Sequence, residues 1–337
     1  MGTAQDRPDG PGRGGGDVLF VIDPPQGLNP KKDSSIAMMR ELARRGRAVW
    51  ACTPHQMRWC AGTVVADAVP LPGSAAAAVA QGAAWYGAGA MATRPLCGFA
   101  GVLMRKDPPF DSEYLYATHL LGAAQRTGAR VFNSPEALRN HNEKLAVTEF
   151  AQFVAPTLVT SDARRILEFQ HEHGPLVVKP LDGMGGSGIF RLQPGDANTN
   201  VILETATAHG TRTVMAQRFL PQIAQGDKRV LLIDGTAVPF ALARIPKEGE
   251  SRGNLAAGGT GRAQPLSARD RQIADDLGPV LRGRGLLLVG LDIIGEHLTE
   301  VNVTSPTCFV EITEQSGFDV AAAFVDALER RLATPAP

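Results

Sequence analysis

The sequence predicts an α/β protein with a parallel-sheet N-terminal unit and a strand-rich remainder, on three observations. An apolar run at Val18–Ile22 leads to a segment with apolar positions Ile36, Met39, Leu42 and Ala43, then to a second apolar run at 48–52. That β-α-β order sets strands in parallel with helices over them. Past residue 140, short apolar runs follow one another, two of them joined by Asp234-Gly235, a hairpin turn signal. Finally, 337 residues are enough for two or three packed units.

Taken in order, the first strand ends at Asp23-Pro24-Pro25, and Ser34 or Ser35 caps the helix after it. Residues 61–98, rich in Ala and Gly, read as loop plus partial helix. Gly101–Met104 is a strand, 112–127 a helix and Arg130–Asn133 a short strand. Further helices fall near 143–152, 162–172, 267–284 and 318–332. Strands fall at 157–160, 176–179, 188–192, 213–219, 228–233, 237–244, 287–294 and 298–304. The stretch 246–262 holds Gly249, Gly253, Gly258, Gly259 and Gly261 and reads as a mobile lid over a site. The first sixteen residues lack the apolar core of a signal peptide and read as a disordered extension.

Thirty-four basic residues balance thirty-four acidic ones, which argues against nucleic acid or an anionic membrane as a partner. No run approaches the roughly 18–20 apolar residues of a membrane span. The four cysteines show no C-x-x-C spacing and read as reduced thiols of a cytoplasmic protein.

Four constellations carry chemistry. Gly183-Met184-Gly185-Gly186-Ser187-Gly188 matches G-x-G-x-x-G, but β-prone Ile189–Leu192 follows it where a dinucleotide fingerprint needs a helix. A strand–glycine loop–strand unit instead makes a flap whose N–H groups lie over phosphates. Lys144 and Lys179, the latter closing an apolar strand, suit a triphosphate as point charges. Glu300 and Asn302 share one strand face, and the short Gly295-Glu296-His297 connection folds Asp292 toward them. Two carboxylates and an amide oxygen suit Mg²⁺. Arg105, Arg229, Arg244 and Arg252 offer forks for carboxylate or phosphate. The histidines do not converge on a zinc site, and no G-x-x-x-x-G-K-[ST] exists.

These blocks resemble the bacterial glutathione synthetases of the ATP-grasp superfamily. The resemblance runs through Asn29–Ser35, Leu103–Asp111, Asn142–Leu145, Lys179–Phe190, Gly226–Val230, Ala243–Pro246, Arg252–Gly259 and Glu300–Thr307, and covers about residues 18–332. It implies an ATP-grasp fold in which two subdomains sandwich ATP. The expected divisions are a disordered extension (1–16), an N-terminal α/β domain (17–138), a lid subdomain (139–212), a C-terminal subdomain (213–332) carrying a flexible loop at 246–260, and a tail (333–337).

The resemblance implies that Lys144 and Lys179 bind ATP phosphates under a flap of Gly183, Met184, Gly185, Gly186, Ser187 and Gly188. Gln217, Phe219 and Leu220 would hold adenine and Asp227 the ribose. Asp292, Glu300 and Asn302 would hold two Mg²⁺ or Mn²⁺ ions. Arg105 and Arg229 would bind the dipeptide substrate and the tetrahedral intermediate, with Arg244 nearby; Asn254 and Ser305 would also bind substrate, and Arg229, Arg244 and Arg252 would be the catalytic residues. The implied reaction joins γ-glutamylcysteine to glycine through an acyl phosphate in a cytoplasmic homotetramer. Residues 1–16 and 61–98 depart from the family pattern, as does Val310, where the family more often has a polar or basic residue. The competing readings are another ATP-grasp ligase, for a related thiol or a D-alanyl dipeptide, and a non-catalytic nucleotide-binding regulator.

Overall fold

The computed structural model describes residues 16–71, 86, 89–183, 185–247, 253 and 258–334, which form three sheets flanked by helices. The expected disordered extension, apart from residue 16, therefore lies outside the described residues. The first sheet contains β1 (Val18–Val21), β2 (Val49–Cys52), β3 (Met57–Cys60), β4 (Thr63–Leu71), β5 (Ala92–Pro95), β6 (Gly101–Met104) and β7 (Val131–Phe132). At its centre β1 pairs in parallel with β2 and β6, and β6 with β7, as the β-α-β order requires. Every residue of β1 and β6 is buried, the pattern of strands covered on both faces.

Two corrections concern this unit. Residues 63–71 and 92–95 are not loop or helix: they are β4 and β5, which form an antiparallel ribbon with β3, while 61–62 are a turn and 96–98 a 3₁₀ turn. Val64, Ala66 and Ala68 point inward along β4 at 1%, 0% and 0% exposure, so the period is 2, muted in sequence by the small alanines. The remainder of that expectation, at 72–85 and 87–88, lies outside the described residues. Finally, helix α1 (Ser34–Arg44) is capped by Asp33, which accepts from the Ile36 N–H at 2.9 Å, and not by Ser34 or Ser35. Both serines are engaged elsewhere, by the Phe309 N–H and by Arg105.

Helices α2 (Ser112–Arg126) and α3 (Pro135–Asn140) follow, the second unanticipated. Residues 145–153 form 3₁₀ turns rather than the expected α-helix, broken at Phe150. The second sheet is β8 (Thr157–Thr160), β9 (Leu176–Pro180), β10 (Phe190–Leu192) and β11 (Val214–Arg218), all antiparallel, ordered β10-β9-β11-β8. Helices α4 (Ala163–His173) and α5 (Thr199–Ala206) cover it around Ile166, Val178 and Leu203.

The third sheet orders β14 (Thr260–Pro265), β13 (Thr236–Ile245), β12 (Asp227–Ile233), β15 (Leu288–Ile294) and β16 (His297–Asn302), again antiparallel. Asp234 and Gly235, at φ 50° and 79°, make the expected hairpin turn. Gly235 is also needed for space, since a Cβ there would sit 2.8 Å from the Gly278 carbonyl. β14 begins inside the stretch read as a lid; residues 248–252 and 254–257 of that stretch lie outside the described residues. Helices α6 (Ala268–Gly283), α7 (Phe309–Ser316) and α8 (Val320–Ala333) complete the chain.

Asn133 joins the first and third sheets. Its side-chain nitrogen donates to the Leu288 and Val303 carbonyls at 2.7 and 2.8 Å, and its oxygen accepts from the Leu287 and Leu288 N–H groups at 2.7 and 2.9 Å. With the side chain 6% exposed, water cannot replace these bonds. Asn133→Ala is expected to cost roughly 2–4 kcal/mol of stability, read as a lower urea midpoint; an unchanged midpoint contradicts the assignment.

Candidate active site

The register of the third sheet assembles the candidate site. Asp292 on β15 stands opposite Glu300 on β16, and Gly290 opposite Asn302, so the three oxygen-bearing side chains share a face. All three line a cavity of about 590 Å³. On the other side of β15, Arg229 stands opposite Asp292, and Arg244 on β13 stands opposite Asp227. Arg229 reaches Asp292 at 2.5 and 3.0 Å, while Arg244 Nη2 bridges Asp292 at 2.9 Å and Asp227 at 2.5 Å.

Burial alone would raise the Asp292 carboxyl, but Arg229 and Arg244 outweigh it and hold the group well below the usual carboxylate range. Burial likewise opposes the charge on Arg229, and the adjoining Asp292 more than offsets it. At Asp227 burial wins over Arg244 and the carboxyl is raised, and its Oδ1 is buried without a hydrogen-bond partner. Gly290 makes the cluster possible, because a Cβ there would lie 2.9 Å from the Arg229 Cδ.

The two lysines converge as expected. Lys144 Nζ donates to the Gly183 carbonyl at 2.6 Å and stands 3.6 Å from Glu300; Lys179 Nζ donates to the Thr299 carbonyl at 3.2 Å and stands 3.9 Å from Glu300. Both side chains are 5% exposed, and burial lowers the Lys179 pKa from its ordinary value. Asn142 shapes the turn before Lys144, its Oδ1 accepting from the Lys144 and Leu145 N–H groups. Glu143 then ties this turn to the end of β16: its Oε1 accepts from the Val303 and Thr304 N–H groups at 2.8 and 3.0 Å.

The glycine loop between β9 and β10 lies over the same cavity, with Gly185, Gly186 and Gly188 at positive φ and Gly183, Gly185, Gly186 and Ser187 in the wall. Gln217, Phe219, Leu220 and Asp227 line it as well. Arg191, missed in the sequence reading, also lines the cavity, its guanidinium 3.8 Å from the Phe219 ring centroid. Ser305 lines the wall; Arg105 is not among its lining residues. Arg105 donates from Nε to Ser35 Oγ at 3.0 Å and from Nη2 to the Pro306 carbonyl at 2.8 Å, which ties it to the wall from behind. Gly188 lies in the loop without lining the cavity; Met184, Arg252 and Asn254 lie outside the described residues.

A divalent cation fits this surface. Among the described residues no three His, Cys, Asp or Glu side chains cluster as a metal site, and the third oxygen on the face of Asp292 and Glu300 is the Asn302 amide. Its amide nitrogen is spent on the Gly290 carbonyl at 3.2 Å, leaving the oxygen as a donor. Carboxylate and amide oxygens are a hard-cation set. The four lone-pair directions of the Asp292 carboxylate accommodate a cation beside the two arginines.

Three sheets around a cavity that combines buried lysines, a glycine flap and carboxylates define the class of ATP-grasp ligases. The fold is shared with D-cycloserine synthetase DcsG (TM-score 0.65, 16% identity, covering 94% of this chain and 99% of that one). It is also shared with the ATP-grasp ligase PsnB complexed with precursor peptide PsnA2 and AMPPNP (TM-score 0.61, 18% identity, 94% and 98% covered). Family models for the N-terminal domain and the ATP-grasp domain of prokaryotic glutathione synthetase match residues 17–139 and 143–317, and the chain belongs to that family. Relatives named glutathione synthetase include those of Ralstonia nicotianae, 57% identical over 93% of this chain and 95% of that protein, and of Pseudomonas aeruginosa, 49% identical over 93% and 98%.

Two carboxylates on one face are expected to fail differently. Glu300→Ala leaves the lysines near other acceptors, and kcat/KM is expected to fall by about 100-fold or more with little change in melting temperature. Asp292→Ala strands two buried guanidinium groups and is expected to cost about 3–5 kcal/mol of stability as well. Calorimetry and turnover on both variants check this; equal stability losses would contradict the division of roles.

Proposed function

We propose that this chain, whose relatives are named glutathione synthetase, is an ATP-dependent ligase that joins γ-glutamylcysteine to glycine, giving glutathione, ADP and phosphate. The observation that carries the reading is the meeting of Lys144, Lys179 and Glu300 with the Arg229–Asp292–Arg244 network around one cavity. The family uses ATP and a divalent metal. In our assignment Lys144 and Lys179 neutralise the triphosphate, Gln217, Phe219 and Leu220 hold adenine, and Asp227 takes the ribose with its free Oδ1. Asp292, Glu300 and Asn302 hold two Mg²⁺ or Mn²⁺ ions, which when bound neutralise charge on the phosphates.

The cysteinyl carboxylate of γ-glutamylcysteine attacks the γ-phosphorus, ADP leaves, and an acyl phosphate forms. The glycine amine, having lost its proton, attacks the acyl carbon and expels phosphate. Arg229 and Arg244 face the charge that develops on oxygen in both steps, aided by Arg252, while Ser305 and Asn254 orient substrate. Positioning and charge neutralisation suffice, and no histidine lines the cavity among the described residues. The stretch 246–260 serves as a lid that keeps water from the acyl phosphate.

We assign residues 17–138, 139–212 and 213–332 as the three working units, acting in a cytoplasmic homotetramer. No helix among the described residues is long and apolar enough to cross a membrane.

The purified protein is expected to form ADP and glutathione one for one from ATP, Mg²⁺, γ-glutamylcysteine and glycine, and neither product when glycine or Mg²⁺ is left out. ADP formed only with a different acid–amine pair would move the chain to another ligase of the class. ATP binding without ADP from any pair would indicate a regulator.

A further inference from the structure

Outside the cavity, one buried titratable group has no part in the chemistry above. His141 follows α3 (Pro135–Asn140), is 5% exposed, and stands three residues before Lys144. Its Nε2 lies 3.0 Å from Arg284 Nη1, and its Nδ1 is buried without a hydrogen-bond partner. Arg284 lies just past α6 (Ala268–Gly283) and reaches on to Glu149 in the 3₁₀ segment, from Nη1 to Oε1 at 3.2 Å and from Nη2 to Oε2 at 2.6 Å. One guanidinium thus holds residues 141 and 149, the two ends of the stretch that carries Lys144. The next residue, Gly285, accepts from the Ser134 N–H at 3.0 Å, so the same turn grips the other end of α3 as well.

The chemistry of these partners decides where the ring proton sits. A guanidinium only donates, so Nε2 accepts, and the neutral ring carries its proton on Nδ1. A second proton would go to Nε2, turn the acceptor into a donor, and set two cations against each other beside a buried ring. Burial and then Arg284 lower the His141 pKa from its ordinary value, and Glu149 opposes them without prevailing. Arg284 at the end of α6 and Glu149 on the 3₁₀ segment are the charges that face the ring. From α2 (Ser112–Arg126), packed along α3, comes the Thr118 carbonyl, which accepts from Arg139, and no charge that acts on the ring among the described residues. Because the folded pKa lies below the unfolded one, the stabilisation is present above the unfolded value of about 6.5 and is lost as the pH falls through the folded one.

We propose that His141 is a positioning residue for Lys144: its neutral ring and Glu149 together receive Arg284, and this staple holds residues 142–148 so that the Lys144 ammonium meets the ATP phosphates. In acid the ring becomes charged, Arg284 separates from it, and ATP is held less well. Asn142 carries the constraint toward the glycine loop, its Nδ2 donating to the Leu181 carbonyl at 3.0 Å. The inference rests on the assignment of Lys144 to the triphosphate in the preceding subsection, and it gives His141 no contact with substrate.

The test reads ATP affinity twice, as KM in glutathione formation and by calorimetric titration with Mg-ATP, from about pH 8 to about pH 5. The full-length wild type is compared with His141→Gln, which puts a non-titrating acceptor near the place of Nε2, with His141→Phe, which keeps a ring without an acceptor, and with Arg284→Met. In acid the wild-type KM for ATP is expected to rise by roughly two- to tenfold more than that of His141→Gln, the contribution of one hydrogen bond. His141→Gln keeps the wild-type KM at neutral pH. His141→Phe and Arg284→Met show the raised KM throughout, with kcat at saturating ATP within about twofold of the wild type. The ATP phosphates titrate in every protein, as does His297, whose pKa burial also lowers, so the difference between proteins is what is read. Superimposable pH profiles for the wild type and His141→Gln would overturn the inference. So would a His141→Phe protein with a lower melting temperature but the wild-type affinity for ATP; Arg284→Met preserves the test should His141→Phe fold poorly. Lys144→Ala separates the inference from the reading beneath it. Unchanged ATP affinity in that variant would overturn the triphosphate assignment and the inference with it, whereas a loss there and none in the His141 and Arg284 variants would overturn the inference alone.

Discussion

The site depends on one buried carboxylate held between two guanidinium groups. Asp292 is 4% exposed, and Arg229 and Arg244 are 6% exposed each. None of the three charges is tolerable there alone, since an isolated ion in low dielectric costs several kcal/mol. Their pairing is fixed by strand register: β12 sets Arg229 opposite Asp292, and β16 sets Glu300 opposite the same residue from the other side. A slip of one residue on any of these strands would turn the ligands to the far face, so the fold and the site are specified together.

Around this centre the charges are sorted by sign and by function. Lys179 approaches Glu300 from the second sheet and Lys144 from the turn before the 3₁₀ segment, each held by a backbone carbonyl as well. The Glu143 and Asn133 side chains then fasten the ends of β15 and β16 to the rest of the chain through hydrogen bonds to backbone groups. These fastenings fix the distance between the two lysines and the carboxylates Asp292 and Glu300 before any substrate arrives. That preorganisation is what lets point charges and positioning drive an acyl transfer without a covalent nucleophile.

Much of this was legible in the sequence because the chemistry sits on strands, where period 2 decides which residues share a face. Glu300-Val301-Asn302 and the apolar strand closing in Lys179 could be read directly, as could the Asp234-Gly235 turn. The ribbon β3–β5 could not, because its inward positions are alanines whose alternation with Val65 and Asp67 is weak. Arg105 reads as a substrate ligand from its place at a strand end, and the bonds of its Nε and Nη2 to Ser35 and Pro306 could not be read there, because they come from tertiary packing. Glu311 and Arg191 carry no local pattern at all, and they enter the cavity through the approach of elements distant in sequence.

The central claim is that the acid is activated by bonding its carboxylate oxygen to phosphorus. The most direct measurement uses γ-glutamylcysteine carrying ¹⁸O in the cysteinyl carboxylate, with mass analysis of the phosphate released as glutathione forms. The account predicts that each phosphate carries one oxygen from that carboxylate, because the acyl carbon–oxygen bond breaks when glycine attacks. Unlabelled phosphate accompanying glutathione formation would contradict it.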